Sequence, residues 1–332
     1  MKASLPDEEK YLSFLNQQGI HPERITRIGG GRNSRVWCVE EGQNLWALKE
    51  YFRHPQDPRD RLKTETNFLK FLNQNSNLGV PRVVGFDEHK NLALYSWLQG
   101  QPVKTITEKH LEQCVSFITE INENPLRYGT KELQLASEGC TDEKQHLEHV
   151  LRRVDQLLEI PTQTSIHQLA LEWIRSVLRP KFQQIYSGLC GFGKDRIAAN
   201  KKLELILSPS DFGFHNILEH QGQLSFLDFE YAGWDDPVKL CADYACQPQV
   251  PVSEEQAAWF CQQLEEGLGW KGLFKRFHLL LPLYRVKWCC ILLNEFRSQD
   301  WERRHHAEEG DKMLRLKKQI SKTQQYFNKN IQ

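Results

Sequence analysis

The sequence predicts an α+β chain in two parts, a small strand-rich N-terminal unit and a larger, mainly helical remainder. Three observations carry this. Strand-like alternation is concentrated before residue 98, near-helical spacing of apolar residues dominates after Thr107, and "WLQGQP", Trp97 to Pro102, reads as a Gly/Pro-marked joint between them. The expected division is therefore 1–98 and 99–332. At 332 residues the chain can bury an ample core.

In "ITRIGGGRNSRVWCVEE" and "NLWALKEYF" the pattern is that of a hairpin turning near Glu41, Gly42 and Asn44. A helix follows, with Leu62, Phe68, Leu69 and Leu72 at helical spacing, and "VPRVVGFDEHKNLALYSWL" returns to strand character. Thr107 is placed to cap a helix bearing Leu111, Val115, Ile118 and Ile121. A second helix presents Leu147, Val150, Leu151, Val154, Leu157 and Leu158, a third runs from about Leu169 to Ile185, and at least two fill the region after Ser253. Short strands are expected at Leu203–Leu207, Asn216–Glu219 and Leu224–Leu227. No internal repeat or low-complexity segment stands out.

Lys plus Arg and Asp plus Glu both number 43, so the chain has no strong basic field to hold a phosphate backbone, and nucleic acid is not an expected partner. The acidic start "MKASLPDEEKYLSFL" does not read as a secretory leader, which favours a cytoplasmic protein. Nine cysteines without a C-x-x-C pair read as free buried thiols rather than as a metal site. The apolar run Phe277 to Phe296 is interrupted by Pro282, Arg285 and Lys287, so it reads as a buried helix and no membrane span is expected.

Three constellations carry chemistry. Gly29, Gly30 and Gly31 lie between two strand-like runs, where a backbone can approach a ligand closely, with Asn33 and Ser34 as added donors. Read alone, the stretch is an ordinary hairpin turn, being neither a dinucleotide fingerprint nor a Walker loop. Lys49, in "WALKEY", ends a strand alternation on the face of the glycine loop, and Glu65 on the following helix is a partner of the kind that kinases use. In "LILSPSDFGFHNIL" Asp211 precedes Asn216 by five positions, and "FLDFE" then supplies Asp228. This order matches a kinase catalytic loop and its metal-binding aspartate: one carboxylate to orient and deprotonate a hydroxyl, and two oxygen donors for Mg²⁺. Pro209, Phe212 and Phe214 are expected to wedge the loop into the core.

The order of glycine loop, Lys49, Glu65, "LYSWLQG", "SDFGFHNIL" and "LDFEYAGWDDPVKLCADY" resembles the aminoglycoside phosphotransferase and choline/ethanolamine kinase family, from about Ile25 to the C-terminal helices. The resemblance implies a two-lobed protein-kinase-like fold, with residues 1–98 as a nucleotide-binding lobe and 99–332 as a catalytic and substrate-binding lobe. It implies ATP and Mg²⁺, adenine near Leu94 to Trp97 with Tyr95 and Trp97 as contacts, phosphates under Gly29 to Ser34 beside Lys49, Asp211 as the catalytic base, and Asn216 and Asp228 as metal ligands. The family's His-Gly-Asp is here Pro209-Ser210-Asp211, and His215 is a near neighbour that reads mainly as a packing histidine.

The expected activity is phosphate transfer from ATP to a hydroxyl of a sugar, amino sugar or amino alcohol. The alternative is a weakly active or inactive nucleotide-binding scaffold, suggested by Pro209. A protein kinase is disfavoured because no A-P-E segment follows Asp228. For the acceptor, Glu230, Asp235, Asp236 and Asp243 would favour an amine, whereas Arg285 and Lys287 would favour a carboxylate or phosphate. Each of these charges can instead form an internal ion pair, the commoner fate for a charge on a buried helix.

Overall fold

The computed structural model describes residues 7–29, 33–55, 57–75, 78–123, 133–191, 203–307 and 310–331. Helix α1, Glu8–Gln17, comes first and was not anticipated. Its Tyr11, Phe14 and Leu15 pack with Trp37, Val39, Leu48 and Leu94 in a small separate core. Five antiparallel strands then form one sheet: β1 Arg24–Ile28, β2 Ser34–Glu41, β3 Asn44–Tyr51, β4 Val83–Asp87 and β5 Leu92–Ser96, in the order β1-β2-β3-β5-β4. The β2–β3 turn falls where expected, with Gly42 at φ 57°, a conformation that glycine adopts without a Cβ clash. Between β3 and β4 lies α2, Arg61–Asn75, whose Leu62, Phe68, Leu69 and Leu72 are buried.

The last two residues of the stretch read as a joint form a short strand. β6, Gln101–Pro102, pairs with β8, Ile217–His220, which in turn pairs with β9, Gln223–Phe226. Between β6 and β8 run α3 Glu108–Asn122, α4 Glu143–Leu158, α5 Ser165–Trp173, α6 Arg179–Gly191 and β7 Ile206–Ser208. Thr107 caps α3 as expected, accepting from His110 N. The single helix expected at Leu169–Ile185 is interrupted by a wide π turn at Ile174–Leu178. Pro180 explains it: proline lacks the amide N–H and its ring clashes with the carbonyl four residues back, so the helix widens just before it.

β10 Gly233–Asp235 pairs antiparallel with β7, and α7 Pro237–Cys246, α8 Glu254–Leu268, α9 Leu273–Leu292, α10 Ser298–Ala307 and α11 Lys312–Asn330 complete the chain. α9 packs against α7, α4, α11 and α8, so the apolar run lies inside the protein, and no described helix is long and apolar enough to cross a membrane. The cysteines are free and, apart from Cys38 and Cys190, buried.

Candidate active site

β3 and α2 bring the first charged group together. The strand alternation turns Lys49 and Tyr51 to the same buried face, and the first turns of α2 lay Glu65 over them. Lys49 Nζ donates to Glu65 Oε2 at 2.6 Å and to Asp228 Oδ1 at 2.7 Å, with Glu230 Oε2 at 3.4 Å. Burial alone would drive the ammonium toward neutrality, but Asp228, Glu65 and Glu230 outweigh it and hold its pKa well above the usual lysine range. Glu65 is shared further. Its Oε2 accepts from Tyr51 OH at 2.6 Å and its Oε1 from Phe229 N at 3.1 Å, so α2 is tied directly to the 228–230 turn.

The second group hangs on the loop between β7 and β8. Phe212 and Phe214 are buried among Phe117, Phe226, Tyr244 and Phe260, which anchors the loop as the sequence suggests; each buried phenylalanine contributes about 1.5–3 kcal/mol. Asp211 keeps about a third of its side chain exposed, and its Oδ1 lies 3.2 Å from His215 Nε2. Burial pushes the Asp211 carboxyl up, and His215, Arg304 and Lys239 more than reverse this, so it sits below the usual carboxylate range and is ionised at neutral pH. Asn216 Nδ2 donates to Asp211 O at 3.0 Å, which leaves the Asn216 side-chain oxygen unspent.

The loop is held by more than proline stiffness. Ser210 has φ 66°, a left-handed conformation uncommon for a side-chain-bearing residue. Its N–H donates to Ser208 Oγ at 3.0 Å, and its own Oγ accepts from Lys239 Nζ at 3.0 Å. Lys239 is 2% exposed and also donates to Asp235 Oδ2 at 2.6 Å. Asp236 caps α7 by accepting from Val238 N, with Pro237 at the first helical position, where its missing N–H costs nothing. "WDDPVKL" thus positions the loop from behind. Gly233 is required by close approach: a Cβ there would lie 2.4 Å from Gln134 O, because the 134–137 segment bonds to Trp234 and Tyr231.

Several expected contacts differ. Gly30 and Gly31 lie outside the described residues, and Gly29 is exposed with open space around its Cα. Ser34 is buried, and its Oγ donates to Glu230 Oε2 at 2.8 Å while Asn33 Nδ2 donates to Glu230 Oε1 at 2.9 Å. Its hydroxyl therefore ties the start of β2 to the 228–230 turn. Tyr95 points inward, its OH 2.6 Å from Tyr51 OH behind the lysine pair, and Leu94 points into the small core with α1, so neither ring nor side chain is open to a base. Trp97 is half-buried just after β5. Asp235, Asp236 and Asp243 are internal partners of Lys239, of His146 and Arg276, and of Lys287. Glu230 and Lys239 are the residues that sequence reasoning missed in these roles. The signals were the Glu two places after Asp228 and the i,i+4 spacing of Asp235 and Lys239.

A metal ion fits the donor set. Carboxylate oxygens of Glu65, Asp228 and Glu230 lie within 4.8 Å of one another, and the single Lys49 ammonium offsets only part of that negative charge. Only Oδ1 of Asp228 is engaged by Lys49, which leaves its other oxygen free as a donor, and the Asn216 side-chain oxygen is unspent as well. Burial pushes the Asp228 carboxyl up, Lys49 opposes this, and Glu230 and Glu65 add to the rise, to about 7. A carboxyl so crowded by negative charge is one that a dication relieves.

Fold and site together define the class: a protein-kinase-like fold with a strand lysine, a helix glutamate and a paired aspartate loop. Residues 24–245 match the model of the phosphotransferase enzyme family (APH), and the chain belongs to that family. Solved structures share the fold at low identity. The gentamicin complex of APH(2″)-IIa matches at TM-score 0.65 and 15% identity over 97% of both chains. Spectinomycin phosphotransferase APH(9)-Ia, in complex with ADP and spectinomycin, matches at 0.64 and 13% over 99% of this chain and 96% of the other. Choline kinase LicA from Streptococcus pneumoniae matches at 0.59 and 12% over 96% and 99%. No protein of curated function matches in sequence.

Proposed function

We propose that the protein transfers the γ-phosphate of ATP to a hydroxyl of a small molecule, with residues 1–98 holding the nucleotide and 99–332 supplying the base and the acceptor site. The observation that carries this reading is Lys49 Nζ bridging Glu65 and Asp228 at 2.6 and 2.7 Å. That lysine is pre-aligned for phosphate oxygens, and a carboxylate loop needed only for chemistry stands beyond it. The complex of the related spectinomycin phosphotransferase with ADP supports a nucleotide in the same fold.

Asp211, ionised and partly exposed, accepts a hydrogen bond from the acceptor hydroxyl, orients its oxygen toward the γ-phosphorus and takes its proton. His215, on the same carboxylate oxygen, fixes the rotamer of Asp211. Lys49 draws charge from the phosphates, and Glu230 holds Asn33 and Ser34 at the start of β2. Asn216 and Asp228 would hold Mg²⁺, which when bound neutralises charge on the phosphate oxygens.

The test is a transfer assay with γ-labelled ATP and Mg²⁺ against sugars, amino sugars, sugar acids and amino alcohols. Label on a hydroxyl acceptor is the expected outcome. Tight ATP binding with no transfer to any class would instead favour the scaffold reading.

A further inference from the structure

A cavity of about 660 Å³ lies between the start of α2, the 133–138 segment, α4 and α10, and Glu230 and Tyr231 form part of its wall. Glu230 is the residue that Lys49 and Ser34 hold beside Asp228, so the cavity adjoins the phosphate end of the candidate site. Its charge is the informative feature. Six lining side chains are cationic, namely Arg59, Lys63, Arg152, Arg153, Arg297 and Arg303, against five carboxylates.

The carboxylates are mostly spent. Asp57 is gripped by Arg59 and Arg61, Glu138 by two nitrogens of Arg153, Asp300 by Arg297 and Arg303, and Glu230 by Lys49. Asp60 accepts the Lys63 N–H at the start of α2. The cations retain donor capacity. Arg303 is 5% exposed, and its Nε is buried with no hydrogen-bond partner. Arg152 and Lys63 stand exposed at the rim with no carboxylate in ion-pair range among the described residues. The ring of Tyr231 has the Arg59 and Arg61 guanidinium carbons 5.8 and 5.6 Å from its centroid, so the aromatic face that would receive a quaternary ammonium is already taken.

We propose that this cavity holds an anionic group of the acceptor, a carboxylate or a phosphate, while the hydroxyl that is phosphorylated reaches past Glu230 to Asp211, which stands outside the cavity lining; this rests on the phosphotransfer reading above. Guanidinium forks match both anions, and a desolvated Arg303 donor is satisfied by either. A polycation would have to displace arginines from their paired carboxylates and then lie among them. In the transfer, the acceptor oxygen bonds to the γ-phosphorus. The bond from that phosphorus to the β,γ-bridging oxygen breaks with its electron pair leaving on ADP, and the hydroxyl proton passes to Asp211 and then to solvent. The anionic group holds the acceptor and takes no part in bond making.

The experiment uses the full chain, ATP·Mg²⁺ and a matched hexose set: the neutral sugar, its 2-amino form, its uronic acid and its 6-phosphate. The uronic acid or the 6-phosphate is expected to exceed the neutral and amino forms at least about tenfold in kcat/KM, and the better of the two identifies the anion. Arg303→Gln should raise KM for that acceptor about ten- to a hundredfold, the usual effect of losing a charge-assisted bond, while KM for ATP is kept. Arg152→Gln, at an exposed position that tolerates substitution, should raise the same KM less. Equal or better use of the neutral or amino form, or an unchanged KM in both variants, overturns the anionic assignment and leaves phosphotransfer standing. Transfer to an amino alcohol but to neither anionic hexose likewise overturns the anionic assignment alone, whereas ATP binding with transfer to no hexose and no amino alcohol overturns both.

Discussion

Exchange of Lys239 for methionine removes the ammonium that meets Asp235 Oδ2 at 2.6 Å and Ser210 Oγ at 3.0 Å, with Asp243 Oδ2 at 3.8 Å. Removing one partner of a buried ion pair costs about 3–5 kcal/mol. Burial already raises the Asp235 carboxyl, with Lys239 opposing, so in the variant Asp235 can take up a proton and the loss should fall near the lower figure. At roughly 2 °C per kcal/mol for a chain of this size, melting should drop by about 6 °C. Ser210 also loses the donor that fixes it next to Asp211, and a misplacement near 1 Å costs about a hundredfold in rate. Thermal melting and steady-state kinetics read the two effects separately. A companion pair isolates the backbone. Ser210→Ala loses only the Oγ contact and keeps a Cβ at φ 66°, whereas Ser210→Gly also loses that Cβ and with it a strain of about 1 kcal/mol, so alanine should be the less stable. A lowered melting point with wild-type kcat in Lys239→Met would reduce Lys239 to a structural residue, and equal stability of the two Ser210 variants would remove the strain.

Asp228→Ala should abolish the Mg²⁺-dependent part of thermal stabilisation by ATP, and Asn216→Ala should weaken it less; equal responses in wild type and Asp228→Ala would take that residue out of the site. Burial lowers both His306 and His149 to about 4, with Arg35 and Arg152 adding to it. In each case the folded state binds fewer protons than the unfolded one between about pH 4 and 6.5, so their contribution is complete above about 6.5 and is lost as pH falls toward 4. Melting should therefore decline across that window, with hydrogen exchange rising first in α10, and His306→Gln should flatten the slope; an unchanged slope would deny the link.

The charged pairs were the legible part of the site. Lys49, Glu65, Asp211, Asn216 and Asp228 announce themselves because phosphoryl transfer needs those types in that order, and the backbone brings Lys49, Glu65 and Asp228 into direct contact. Ser34 and Tyr95 have partners that the sequence did not disclose, because sequence position says which segment lies together but not which way a side chain points. Strand alternation sends Leu94 and Tyr95 to opposite cores, and Ser34 meets a glutamate some two hundred residues later. Glu230 was read as an acceptor contact because its partners, Asn33 and Ser34, are so distant in sequence. The helices were legible from their spacing. α1 was missed for its short apolar set, and the π turn because its cause, Pro180, acts on the turn before it.

The most direct test of phosphoryl transfer is the turnover of Asp211→Asn with its best hydroxyl acceptor, measured alongside ATP affinity. The substitution keeps shape and the contact geometry to His215 while removing the base, so kcat should fall by about 10² to 10⁴ with ATP affinity nearly unchanged. Turnover equal to wild type would contradict the assignment of Asp211 as the group that accepts the hydroxyl proton.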